Sequence, residues 1–196
     1  HFIFNVLETL RYEIAIDSQK ASEMVMAFAN LMRYSVYYGS TIVPLQTDIE
    51  YINDYLLLQK MRYNRRLNYH IDIPEELMDL MIPKLLLQPV VENSLVHGMK
   101  DKHSVSITIT ARMEDSTLVL CVEDNGSGIS REKLTKLREA LEQEDIYREH
   151  IGLYNSHRVV RLLYGPSYGL TIESSPGNGT RVSVTLPADM EEDTYV

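Results

Sequence analysis

Two hydrophobic periods divide this chain. Up to about residue 66, apolar side chains recur every three to four positions. Phe2, Val6, Leu10 and Ile14 make one such stripe, and Met24, Phe28, Leu31 and Ser35 make another; this is the spacing of one helix face. Between them, Ile-Asp-Ser-Gln at 16–19 predicts a kink or break, because Asp and Ser side chains compete for backbone hydrogen bonds. The stretch 38–44, Tyr-Gly-Ser-Thr-Ile-Val-Pro, predicts a turn. Thr47 to Glu50 fits a capping box, with Thr47 accepting from a backbone N–H and Glu50 reaching back. A second helix follows, with Ile49, Ile52, Leu56 and Tyr63 on one side. Two long helices joined by a short turn should pack as an antiparallel hairpin. One hairpin cannot bury all of this apolar surface, which predicts a homodimer through a four-helix bundle.

From about residue 67 the period becomes two. Leu67, Tyr69, Ile71 and Ile73 alternate with polar residues, and Val105, Ile107, Ile109 and Ala111 alternate with Ser106, Thr108 and Thr110. Two later strands turn Thr171, Glu173, Ser183 and Thr185 outward. Strands with one polar face predict an antiparallel sheet covered on its other face. Residues 83–99, 131–143 and 152–164 have the helical character to cover it, with Pro83 suited to a first turn. The expected fold class is α+β: helices over 1–66, then a two-layer α/β sandwich over 67–196. In 118–124, Leu118, Leu120, Val122 and Asp124 share one face and Val119, Cys121 and Glu123 the other. If the first face is the covered one, Asp124 points inward and requires a partner, since an unpaired buried carboxylate is costly. Gly126 and Gly128 then let the backbone turn and approach something closely.

Composition narrows the picture modestly. The 196 residues are 44% hydrophobic and 24% charged, as in ordinary globular domains. A net charge of −9 argues against a nucleic-acid surface, which needs a basic stripe. The one cysteine, Cys121, lies in an apolar strand, so no disulfide framework is expected and a reducing compartment is. No run is long and apolar enough to span a bilayer. The start at His1, inside an apolar-periodic segment, reads as an excised fragment whose upstream part, including a membrane segment, lies elsewhere.

Four places carry candidate chemistry. Asn93, His97 and Lys100 fall on one helical face beside Glu92, an arrangement that suits Mg²⁺ carrying phosphate oxygens; a polar helix end capped by Gly98 explains it equally. Pro89 either kinks this helix or starts its regular part. The Gly-Asn-Gly-Thr turn at 177–180 leads into a strand with Thr180 at its start, which is also what a hairpin turn looks like. Gly152 opens a helix whose free N–H groups suit a phosphate, or simply begin a helix. The fourth is the carboxylate and glycine pair at 124–128.

Taken together, the segments at 91–99, 123–129, 152–155 and 177–182 resemble the N, G1, F/G2 and terminal Gly-Thr boxes of the GHKL ATP-binding fold, shared by gyrase-type ATPases and histidine kinases. Residues 1–14, HFIFNVLETLRYEI, resemble the phosphoacceptor box of LytS/YesM-type sensor histidine kinases, and 43–77 resemble that family's second helix and first strand. The resemblance covers nearly the whole chain. It implies that Asp124 accepts from the adenine amino group, with Thr180 supporting it through water. Gly126 and Gly128 would let the loop pass the base. Asn93 would ligate Mg²⁺ and Glu92 orient water or metal. His97, Lys100, Gly152, Leu153 and Gly179 would complete the ATP site, and 126–152 would form a mobile lid. His1 would be phosphorylated and pass phosphate to a response regulator; a neutral imidazole near its ordinary pKa of about 6.5 suits that role. Asn5, one turn on, would hydrogen-bond the imidazole or orient a water.

The sequence departs from the family pattern at Val96, where many members carry lysine, and at His150, where a glycine is usual. Gyrase-type ATPases usually carry a glutamate four residues before the metal Asn; here that place holds Pro89, which weighs against hydrolysis as the main task. The rival expectations are a GHKL ATPase and a catalytically weak nucleotide-binding scaffold.

Overall fold

A computed structural model describes residues 2–37, 39–99, 103–142 and 151–188. His1, Lys100 and His150 lie outside the described residues.

The break foreseen at 16–19 is a corner. Helix α1 (Phe2–Ile16) ends and α2 (Ser18–Tyr37) begins at Asp17. The Asp17 N–H donates to Glu13 O at 2.8 Å, its carbonyl accepts from Ala21 N–H at 3.0 Å, and its Oδ1 accepts from Lys20 N–H at 3.0 Å. One residue thus closes one helix and caps the next. Lys20 Nζ bridges the corner to Glu13 at 2.5 Å. Helix α1 folds back until the Phe2 ring lies 5.3 Å from that of Tyr55 in α3 (Leu45–Tyr63). The expected two-helix hairpin is therefore an arrangement of three helices. Ile14, placed in the first stripe, is 62% exposed.

Three expectations fail just beyond α2, for one reason: the segment is tied to residues 77–85. Ile42–Pro44 is strand β1, not part of a turn; it pairs antiparallel with β3 (Met81–Pro83). Thr47 and Glu50 make no capping box. Helix α3 starts at Leu45, and its first free N–H groups, on Leu45 and Gln46, donate to Leu80 O at 2.8 Å and Met78 O at 2.9 Å. Glu50 instead accepts from Gln46 Nε2 at 2.9 Å. Pro83 ends a strand rather than opening a helix. After it, Leu85 adopts φ 60°, and α4 (Gln88–Gly98) begins with Pro89 in its first turn, where the missing N–H costs nothing.

The main sheet runs β2-β4-β5-β7-β6, from β2 (Leu67–Asp72), β4 (Val105–Glu114), β5 (Thr117–Asp124), β6 (Gly169–Ser174) and β7 (Thr180–Pro187). It is not wholly antiparallel: β2 and β4 are parallel, Leu67 opposite Val105, because β3 and α4 lie in the long crossover between them. The other neighbouring pairs are antiparallel. Helices α4, α5 (Arg131–Glu142) and α6 (Ile151–Tyr164) pack on the sheet. Leu118, Leu120 and Val122 face that cover as parity predicts. Val119 and Cys121, assigned to the open face, are buried too, since β5 is central and Val119 lies between Arg112 and Thr185 of its neighbours. One continuous core joins Val6 and Met24 of the helices to Ile107 and Val184 of the sheet.

Candidate functional site

Strand β5 delivers Asp124 to the edge of the core. It is the last residue of the strand, opposite Ile107 of β4 and Thr180 of β7, and 4% exposed. Its Oδ1 accepts from the Gly126 N–H at 2.8 Å, which folds the following loop back over it. That loop is pressed against neighbouring backbone. A Cβ on Gly126 would stand 2.3 Å from Gly98 Cα at the end of α4, and one on Gly128, at φ 70°, would stand 2.0 Å from Ser175 O. Gly179, at φ 79°, approaches Asp124 so closely that a Cβ would lie 1.8 Å from its carbonyl oxygen. Space therefore excludes a side chain at all three positions, and conformation does so as well at Gly128 and Gly179.

Side-chain hydroxyls tie the cradle together. Ser127 Oγ donates to His97 O at 3.1 Å. Ser174 Oγ accepts from Ile129 N–H at 2.9 Å, donates to Gly179 O at 2.7 Å and lies 3.0 Å from Thr180 Oγ1. With the one Ser174 proton on Gly179 O, Thr180 is the donor in that last contact. Ser174 was not among the sequence candidates. Its signal was parity: it lies on the face of Ile172, polar, immediately before a glycine-rich turn.

Asp124, Gly126, Gly128, Gly179 and Thr180 thus converge on the C-terminal end of α4, where His97 and Gly98 meet the loop. Asn93 lies one turn earlier on the same helix as His97. Glu92 does not join them. Its Oε1 accepts from Gln88 Nε2 at 2.7 Å, and its charge bears on α3, adding to the burial that pushes Tyr51 up to about 12 and Tyr55 up as well. Gly152 and Leu153 sit at the other end of α4. A Cβ on Gly152 would stand 2.9 Å from Pro89 Cβ, so packing alone accounts for this glycine, while Leu153 is buried in the core. Asn5 is half-buried on α1, and its carbonyl accepts from Thr9 Oγ1 at 2.9 Å.

Of the lid expected over 126–152, residues 126–142 are described. The loop is hydrogen-bonded as above, and α5 buries Leu134, Leu137 and Leu141 and anchors Arg138 Nε on Ile172 O at 2.9 Å. Residues 143–150 lie outside the described residues.

The donor set suits an adenine nucleotide. A buried carboxylate with a hydroxyl on the facing strand residue can take an exocyclic amine, and the Asn93 amide oxygen is a hard donor of the kind Mg²⁺ accepts.

Residues 1–67 match the family described as histidine kinase, and residues 79–190 that described as histidine kinase-, DNA gyrase B- and HSP90-like ATPase. The sensor protein kinase HptS of Staphylococcus aureus is 32% identical over 187 residues, covering 95% of this chain and 36% of that protein. The chain thus spans about a third of the length of the curated relatives it matches. Among solved structures, the histidine kinase domain of a blue-light activated histidine kinase from Erythrobacter litoralis EL346 superposes with TM-score 0.54 at 16% identity, covering 93% of this chain and 86% of that one. The catalytic domain of histidine kinase ThkA gives 0.59 at 16% identity over 77% of this chain and 98% of that one. These last two likenesses speak for the fold alone.

Proposed function

Since this chain belongs to the histidine kinase family and carries the core of a LytS/YesM-type sensor histidine kinase of a two-component system, we propose that it transfers the γ-phosphoryl group of ATP to His1 and then to an aspartate of a response regulator. The observation that carries this reading is the buried Asp124 ending β5 opposite Thr180, with glycine backbone drawn in on both sides. Asp124 accepts from the adenine amine, Thr180 supports it through water, and Gly126, Gly128 and Gly179 keep the backbone close to the base. Asn93 and His97 serve the phosphates, as would Lys100, which lies outside the described residues, while Gly152 and Leu153 hold α6 beside α4. Bound at Asn93, Mg²⁺ would neutralise charge on the phosphates.

The neutral His1 imidazole attacks the γ-phosphorus; the P–N bond forms as the bond to the bridging oxygen breaks and ADP leaves. Glu92 takes the imidazole proton. Asn5 orients the imidazole. In the second step the P–N bond breaks as the regulator's carboxylate is phosphorylated. Hydrolysis as the main task is disfavoured by Pro89, which occupies the place of an ATPase glutamate and packs on Gly152.

Residues 1–66 serve as the dimerisation and phosphoacceptor part and 67–196 as the ATP-binding part. Family members generally act as dimers, and here the second copy would cover Phe4, Leu7, Ile14 and Ile16 of α1 with Met26 and Val36 of α2, all exposed. Among the described residues no helix is long and apolar enough to cross a membrane; attachment would come through a sensor region outside this chain. The test is incubation with γ-labelled ATP and Mg²⁺. Acid-labile label on the intact chain and none on His1→Gln is the expected result; label persisting on His1→Gln would overturn the reading.

A further inference from the structure

Asp48 lies on α3, among the helices, yet it is fully buried and bonded chiefly to the other part of the chain. Its Oδ1 accepts from the Leu85 N–H at 2.7 Å and from Tyr34 Oη of α2 at 2.9 Å, and the Leu87 N–H points at Oδ2 from 3.5 Å. Leu87 is the residue from which α4 springs. The carboxylate therefore sits at the positive end of the helix that carries Asn93 and Glu92. Lys84 completes the environment, its Nζ 5.0 Å from the centre of the Tyr34 ring and its charge attracting Asp48.

The local backbone is shaped around this contact. Leu85 holds φ 60°, a conformation a leucine adopts only at a cost, and the N–H presented there goes to Asp48. On the near side, β1 and β3 pair with Val43 opposite Ile82. On the far side, α4 presents Glu92 toward Tyr51 and Tyr55, and Tyr55 meets Phe2, the residue after His1. The anchor thus stands where α3 and α4 both begin, outside the nucleotide cradle and away from the phosphoacceptor end of α1.

We propose that Asp48 is a positioning residue for phosphoryl transfer, fixing the rotation and register of α4 on α3 and hence the approach of the nucleotide site to His1. The proposal rests on the kinase reading above. A helix is stiff enough to carry a fixed start to Asn93 and Glu92, and small misplacements are expensive in a reaction that depends on alignment.

The experiment compares Asp48→Asn, Asp48→Ala and Tyr34→Phe with the unaltered chain, reading the rate of His1 labelling, its KM for ATP, and ADP affinity by calorimetry. Asp48→Asn keeps the shape but sets an amide N–H₂ against donors. Losing such a partner corresponds to a rate fall of about 5- to 150-fold, with Asp48→Ala at the upper end, Tyr34→Phe at the lower, and KM and ADP affinity within about twofold. An unchanged rate in Asp48→Asn with the fold retained would overturn the proposal. So would ADP affinity falling in step with rate, because Asp48 would then merely support the nucleotide domain. Should neither Asp48 variant fold, Tyr34→Phe decides: it removes one hydroxyl, and an unchanged rate overturns the claim. If the unaltered chain itself takes no label on His1, the kinase reading fails and this inference with it; if it labels and the variants label equally, only the role of Asp48 is lost.

Discussion

In the sheet, Leu120, Val122, Val182 and Val184 are fully buried, while on α1 Phe4 is 79% exposed and Ile16 62%. The sheet has helices on one face and buries its inward side chains completely in the shared core; the three N-terminal helices leave apolar residues on the outside. The two regions are held to different standards by the same physics. A nucleotide cradle needs backbone fixed within fractions of an ångström, and only a finished core supplies that. A helical surface that awaits a second copy can leave its stripe open until the copy arrives. The regions should therefore fail differently when perturbed.

The largest effect is expected in the cradle. Gly179→Ala must place a methyl group 1.8 Å from the Asp124 carbonyl at φ 79°. Left-handed backbone strain plus overpacking should cost about 2–5 kcal/mol in urea unfolding, and ATP binding should go with it. A loss well under 1 kcal/mol would mean that the loop yields and the cradle is not rigid. In the helices, Phe4→Glu should do the opposite. The protomer's own stability should stay within about 0.5 kcal/mol, as for exposed positions generally. Self-association should weaken at least about tenfold, because a phenylalanine side chain is worth about 1.5–3 kcal/mol when buried. Sedimentation across a concentration series reads the second quantity; unchanged association would move the dimer face away from α1.

Much of this was legible beforehand, for reasons that local chemistry supplies. Period-two runs located β2, β4, β6 and β7, and parity put Asp124 and Glu123 on opposite faces, of which the structure covers that of Asp124. What stayed hidden depends on partners distant in sequence. Thr47 and Glu50 have a capping box's spacing, but α3 starts two residues earlier, and its first N–H groups, on Leu45 and Gln46, are taken by carbonyls of residues 80 and 78. Ile42–Pro44 is a strand only because Met81–Pro83 lies beside it. The packing of Gly152 on Pro89, which leaves no room for a side chain, is likewise invisible locally. The parallel β2–β4 pair follows from the crossover through α4, not from either strand's pattern. Asp48 reads as one more acidic residue in a helix's first turn; its donors Leu85 and Leu87 lie 37 and 39 residues away.

That residue also offers the finest test of how the two regions are joined. Burial raises the Asp48 pKa, and the bonds from Tyr34, Leu85 and Leu87 with the charge of Lys84 oppose it without prevailing. Between its unfolded value of about 3.9 and the raised folded value, the native state holds the extra proton. Its contribution is therefore fully present below about pH 3.9 and lost as pH rises through the folded pKa. Relative to Asp48→Asn, which does not titrate, the unaltered chain should lose stability across that window, by at most about 1.4 kcal/mol per pH unit, and then run level. Unfolding of both chains at a series of pH values measures the difference. A difference that grows with pH would mean that the four lowering groups outweigh burial. Burial thus works against the charged form, so ionising Asp48 adds nothing to stability. Its use then lies in direction rather than in strength, since two backbone N–H groups and one hydroxyl can all meet the carboxylate only when α4 stands in one register on α3.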